Sequence, residues 1–304
     1  MSNSKTQVLR DLPAGNSEVT SLYWCEKGLF AGDLDGNIFI YETDNSPSGG
    51  QCHIGQCHNF KVHNLAVSSI CYINDNVFSC SLDGNVSTMK FNAQGKNDVS
   101  SIKSITDCFV ICPVESMGIV LFGTTSGSLY FYDISKENLS EPLKLFTNSA
   151  VCSISLHPTE NKVGVLSNQE FVLVNLDKRD EEKRLKITAD KCTCCAISDN
   201  ALSCVISTTE GSVRIVDMIT FKEVGCVVID QTELNKVASI DYGKRFVLIG
   251  CNGKVTLFNL NTMLKETGNI IERKPLLALA IQPVDMKIAV AGCDKNITLL
   301  GFEK

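Results

Sequence analysis

Three short apolar stretches recur in a fixed order along the chain. The first carries an apolar pair at positions i and i+3: Val19 and Leu22, Val67 and Ile70, Phe109 and Cys112, Val151 and Ile154, Cys194 and Ile197, Val237 and Ile240. In the last unit the run Leu277 to Ile281 takes its place. The second stretch ends on a small residue, as at Gly32, Ser79, Gly123, Ser207, Gly250 and Gly292, which leaves room for close backbone approach. A tight turn follows, Asp35-Gly36, Asp83-Gly84, Ser126-Gly127, Glu210-Gly211 or Asn252-Gly253, in which glycine supplies the positive φ such a turn demands. The third stretch starts at once, most clearly at Ile38 to Tyr41, Leu129 to Tyr132, Val213 to Val216 and Val255 to Phe258. Near-continuous apolarity over four to six residues predicts strands buried on both faces. More polar stretches between units, Leu143 to Phe146, Arg184 to Ile187 and Glu223 to Val228, suit a fourth, outer strand with one wet face.

The spacing fixes the architecture. The apolar residue after the turn falls at Ile38, Val86, Leu129, Phe171, Val213, Val255 and Ile297, with gaps of 48, 43, 42, 42, 42 and 42. A period in the forties, each copy a small set of strands, marks an array whose units bury their apolar faces only against one another. The expectation is an all-β, seven-bladed β-propeller occupying residues 1–304 as one domain. The last unit runs out at Gly301-Phe302 with three strands, while Thr6 to Arg10 precedes the first unit with no blade of its own. Residues 5–11 are therefore expected to supply the outer strand of blade seven, closing the ring and removing an exposed edge.

These features resemble the WD-repeat family of β-propellers over essentially the whole chain. The matching pieces are the small-residue strand end, the Asp-Gly turn, the apolar triplet and one copy of the upstream histidine, His63, four residues before Val67. The sequence departs from the pattern at the tryptophan slot, which holds Tyr41, Met89, Tyr132, Val174, Val216, Phe258 and Leu300, and the following aspartate survives only as Asp133 and Asp217. The resemblance implies a non-catalytic scaffold or adaptor subunit of an intracellular multiprotein complex that binds a peptide or protein on a propeller face.

Composition narrows the partners. Hydrophobic residues at 44%, charged residues at 20% and a net charge of -6 describe an ordinary globular chain and disfavour a nucleic-acid platform. Residues 1–16 carry no basic-then-apolar signal, and no run of roughly 18 apolar residues occurs, so no membrane association is expected. The fifteen cysteines are odd in number and sit singly inside apolar strands, which fits buried free thiols in a reducing compartment, cytoplasm or nucleus.

Candidate chemistry is sparse. Asp33, Asp35, Asp83, Glu210 and Asp294 cluster at the second-to-third-strand turns, expected on the face that also carries the starts of the first strands, Glu18, Ala66, Ala150 and Lys236, with Phe109 beside them. Five carboxylates and an aromatic there predict a site for a partner of basic character, since guanidinium pairs bidentately with carboxylates. The same acids also suit plain turn positions. Cys52, His53, Cys57, His58 and His63 have the residue types zinc favours, which keeps a metal-dependent or enzymatic propeller as the alternative. In an extended strand His53 and Cys57 stand roughly 13 Å apart, too far for one ion, and no metal or other cofactor is assigned. No phosphate loop, Gly-x-Ser-x-Gly elbow or His-Glu-x-x-His helix occurs, so no catalytic residue is named. The charge run Asp177 to Arg184 reads as a solvated hairpin.

Overall fold

The apolar triplets fold as sheets of four strands, each unit contributing its own. A computed structural model describes residues 6–44, 53–91, 99–102, 105–189, 191–240, 244–270, 275–282 and 287–302. Among the described residues, seven antiparallel sheets form a seven-bladed β-propeller. Blade one runs Val19–Cys25, Gly28–Asp33, Asn37–Asp44, His53–Lys61 from the axis outward, and blade two Val67–Ile73, Asn76–Ser81, Val86–Lys90, Val99–Ser101. Blade three runs Cys108–Val114, Ile119–Thr124, Ser128–Asp133, its edge shared by Asn138–Leu139 and Leu143–Lys144. Blade four is Ser153–Leu156, Lys162–Leu166, Glu170–Asn175, Asp180–Lys186, and blade five Cys192–Ile197, Ser203–Thr208, Ser212–Asp217, Lys222–Val228. Blade six is Leu234–Ile240, Arg245–Gly250, Lys254–Asn259, Leu264–Ile270. Blade seven takes Leu276–Ile281, Ile288–Gly292 and Asn296–Phe302, and its outer strand is Thr6–Pro13.

That last pairing is the expected closure. Thr6 to Pro13 lies antiparallel to Phe302 to Asn296, with a bulge between Val8 and Arg10. Asp11 Oδ1 accepts from Thr298 Oγ1 at 2.7 Å, and the Ala14 N–H donates to the Lys295 carbonyl at 3.2 Å. Leu12 and Ala14 then drop into the seam between blades seven and one, among Trp24, Phe39, Tyr41, Ile297 and Leu299. Each first strand lies beside the first strands of both neighbours, Leu276–Ile281 touching Leu234–Ile240 and Val19–Cys25, so the inner ring is unbroken.

Packing between blades explains the small residue that ends the second strand at Gly32 and Gly123. A Cβ added at Gly123 would lie 2.5 Å from Val151 Cγ1 of the next blade, and one at Gly32 would lie 2.5 Å from Val67 Cβ. Hydrogen bonds cross the same seams: Thr20 Oγ1 donates to the Val67 carbonyl at 2.7 Å, and Ser153 Oγ and Ser155 Oγ accept from the N–H groups of Cys195 (3.2 Å) and Ile197 (2.9 Å). The residues in the tryptophan slot are all buried apolar or aromatic side chains. Tyr41, which keeps a polar tip, spends it on the Pro13 carbonyl at 2.7 Å.

Two local expectations are refined. The charge run divides, Asp177 to Arg179 forming a turn and Asp180 onward the outer strand of blade four, because an outer strand wet on one face tolerates charge at nearly every position. Of Leu143 to Phe146 only the first two residues pair as a strand; Leu145 and Phe146 turn inward to fill the seam between blades three and four.

Candidate functional site

The second-to-third-strand turns and the starts of the first strands are stitched onto one face. The Leu34 N–H donates to the Glu18 carbonyl (2.8 Å), and the same tie recurs as Leu82 to Ala66 (3.0 Å), Thr125 to Asp107 (2.9 Å), Thr209 to Lys191 (3.0 Å), Cys251 to Glu233 (3.0 Å) and Cys293 to Pro275 (3.1 Å). The chain leaving the outer strand clamps the turn from its other side, as where the Leu145 and Phe146 N–H groups donate to the Gly127 carbonyl at 3.0 and 2.9 Å. Gly127 has φ +86°, and an added Cβ would sit 2.5 Å from the carbonyls of Phe146 and Ser149, so only glycine fits.

Inside this ring of turns the central channel opens into a cavity of about 540 Å³ lined from all seven blades. Its walls differ in character. Leu34, Ala66, Leu82 and Phe109 from blades one to three, with Leu277 of blade seven, give an apolar side, and Leu34 and Leu82 stand 46% and 59% exposed. Blades four to six contribute a polar side with Cys152, Asn168, Lys191, Glu233 and Lys236. Burial pushes the Cys152 thiol up to about 11, against the opposing pull of Lys191 and Lys236, so it is a neutral donor at neutral pH; it points at Asn168 Oδ1, 3.2 Å away.

Of the six residues singled out from sequence, Phe109 lines this mouth and the five carboxylates lie outside its lining. Asp33 is fully buried and holds its own turn, accepting from the Asn37 N–H and Nδ2 at 2.7 Å each. Asp35 is exposed, Glu210 pairs with Arg214 at 3.6 Å, and Asp294 Oδ1 accepts from the Asn296 N–H at 3.4 Å. Asp83 accepts from the backbone N–H groups of Asn64 (2.8 Å) and Asn85 (2.9 Å) and faces His63 Nδ1 at 3.5 Å. Burial pushes its carboxyl up, but those N–H groups and His63 together hold it below the usual value. His63 is buried, its Nε2 2.8 Å from Ser79 Oγ, and burial lowers its pKa although Asp83 pulls the other way. Blade two thus keeps a histidine–serine–aspartate tie between its turn and the chain leading into it.

Lys191 and Glu233 were missed. Each immediately precedes its first strand, the slot that Glu18 and Ala66 fill in blades one and two, and that slot was the available signal. Ala66, Ala150 and Lys236 do line the mouth.

In the zinc-capable stretch, Cys52 lies outside the described residues. His53–Lys61 is the outer strand of blade one; His58 Nε2 lies 3.2 Å from Glu42 Oε1, Cys57 is exposed, and His63 faces Ser79 and Asp83. Among the described residues no three His, Cys, Asp or Glu side chains converge as metal ligands. No family model matches the chain, and no curated protein matches it.

Proposed function

We propose that the protein is a non-catalytic interaction platform of the WD-repeat type, which seats a segment of a protein partner across the turn face within a larger intracellular assembly. The observation that carries this reading is the channel mouth: a cavity of about 540 Å³, fed by every blade, whose apolar wall holds Leu34, Leu82 and Phe109 at the surface. Large aliphatic side chains about half exposed around one concavity are what an apolar anchor residue of a partner covers. The turns that present them are held by main-chain bonds on two sides, so the surface is formed before anything binds, which lowers the entropic cost of association. Fold analogy supports the scaffold role in the same direction, and so do the buried free thiols for a reducing compartment.

The test is affinity purification of the tagged protein with quantitative mass spectrometry, comparing three forms. Leu34→Glu with Leu82→Glu is expected to lose the specific partners. Leu202→Glu, an equally exposed leucine in the first-to-second-strand turn of blade five, is expected to keep them. Partners retained by the mouth variant and lost by Leu202→Glu would place recognition on the opposite face and overturn the reading.

A further inference from the structure

The turn of blade four breaks the repeat. Where five other blades place glycine, it reads Ser167-Asn168-Gln169-Glu170, and Ser167 Oγ braces it by accepting from the Glu170 N–H at 3.0 Å. Beside this turn, between the segments that enter and leave blade four, a second cavity of about 480 Å³ opens on the same face. It shares Asn168 and Lys191 with the channel mouth, so the two are continuous. Every residue lining it is polar or charged.

Its charge is mostly positive. Lys186 and Lys191 line it and form no ion pair among the described residues, whereas Glu170, its carboxylate, lies 3.2 Å from Arg184 Nη1, a guanidinium it shares with Glu181. The neutral donors are idle as well. Asn168 Oδ1 is taken by the Cys152 thiol, which turns its Nδ2 to donate, and that Nδ2 has no acceptor among the described residues. Asn148, held at φ +61° on the rim, likewise has no side-chain partner there. Two ammonium groups and two amide donors around one concavity, with the local carboxylate engaged by Arg184, match an oxyanion. Across the mouth Lys236 adds a third positive charge against Glu233.

We infer that the partner segment is an extended acidic peptide: an apolar side chain fills the mouth against Phe109 and Leu82, and a neighbouring Asp or Glu carboxylate sits between Lys186 and Lys191. This rests on the platform reading and specifies its occupant. It reverses the sign of partner that the turn carboxylates suggested, because those side chains lie outside the lining of both cavities and the lysines lie within it.

The test is selection from a randomised, unphosphorylated dodecapeptide display library against the full chain, in parallel with a Lys186→Gln, Lys191→Gln variant. Both lysines are exposed, so the fold should survive. Peptides from the native protein are expected to carry Asp or Glu several-fold above input close to an apolar residue; peptides from the variant should keep the apolar residue and lose the acidic excess. For one selected peptide, changing its Glu to Gln and changing the lysines should each raise Kd by about tenfold, and doing both should add little further, since both remove one interaction. Selected peptides without acidic excess, peptides enriched in Lys or Arg, or an unchanged acidic excess in the variant would overturn this inference and leave the platform standing. Failure of the native protein to enrich any peptide would take down both.

Discussion

Truncating Leu12 to alanine isolates the ring's closure from the rest of the fold. Leu12 is 2% exposed and belongs to the seam cluster that contains Trp24, Leu29, Phe39 and Leu299. Removing a fully buried leucine side chain costs about 3 kcal/mol, the transfer loss plus the hole it leaves. Unfolding entropy of roughly 2 cal/mol/K per residue makes a chain of this length lose about 1.6 °C of Tm for each kcal/mol, so Leu12→Ala should melt about 5 °C lower. Val8 on the same strand is 53% exposed, and Val8→Ala should move Tm by less than about 1 °C. The assay is built in, because Trp24 is the only tryptophan and lies in this cluster. Its emission during a thermal scan reports the seam, while far-ultraviolet circular dichroism reports all seven sheets. Leu12→Ala should lower the Trp24 transition at least as far as the dichroism transition. Deleting residues 1–12 should lower both further, since the main-chain ladder to Asn296–Phe302 goes too. Equal melting of Leu12→Ala and Val8→Ala, or a deletion that melts like the native chain, would refute closure by this strand as a source of stability.

Two more outcomes follow from the seams and turns. Burial lowers the His63 pKa below the unfolded value near 6.5, so the unfolded chain takes up the proton more readily as pH falls. Stability is therefore full above about pH 6.5 and declines below it; in thermal melts from pH 7.5 to 5 the slope should shrink in His63→Gln, and an unchanged slope would show that other groups, such as His157, govern it. Gly123→Ala forces a methyl to within 2.5 Å of Val151 Cγ1 and should cost about 1–3 kcal/mol, partly recovered when Val151→Ala is added; strictly additive losses in denaturant titrations would deny the contact.

Blade number, strand order and closure were legible because each rests on backbone demands that only certain residues meet. Gly127 marks a turn since no Cβ fits between two carbonyls, and Gly123 marks a seam since the next blade's Val151 occupies the space. The mouth was read less well, because a residue type at a turn does not say which way its side chain leans. Asp33 looked like a surface acid, yet it folds back on Asn37 and is buried. Lys191 carried no motif of its own, and only its position one residue before Cys192 sets it at the channel. Side-chain direction there depends on hydrogen bonds formed after the turn closes, which composition does not encode.

The outer strand of blade seven also sets an order of events during synthesis. Asp11 meets Thr298 across a sequence separation of 287, so a nascent chain carries Thr6–Pro13 without its partner until the seventh blade has left the ribosome. At about 5–20 residues per second that wait is on the order of tens of seconds, during which Leu12 has no seam to enter. Blades one to six can assemble in turn as they emerge, but the ring locks only once Asn296–Phe302 is free to pair, and a chain stalled in blade seven stays open at both edges.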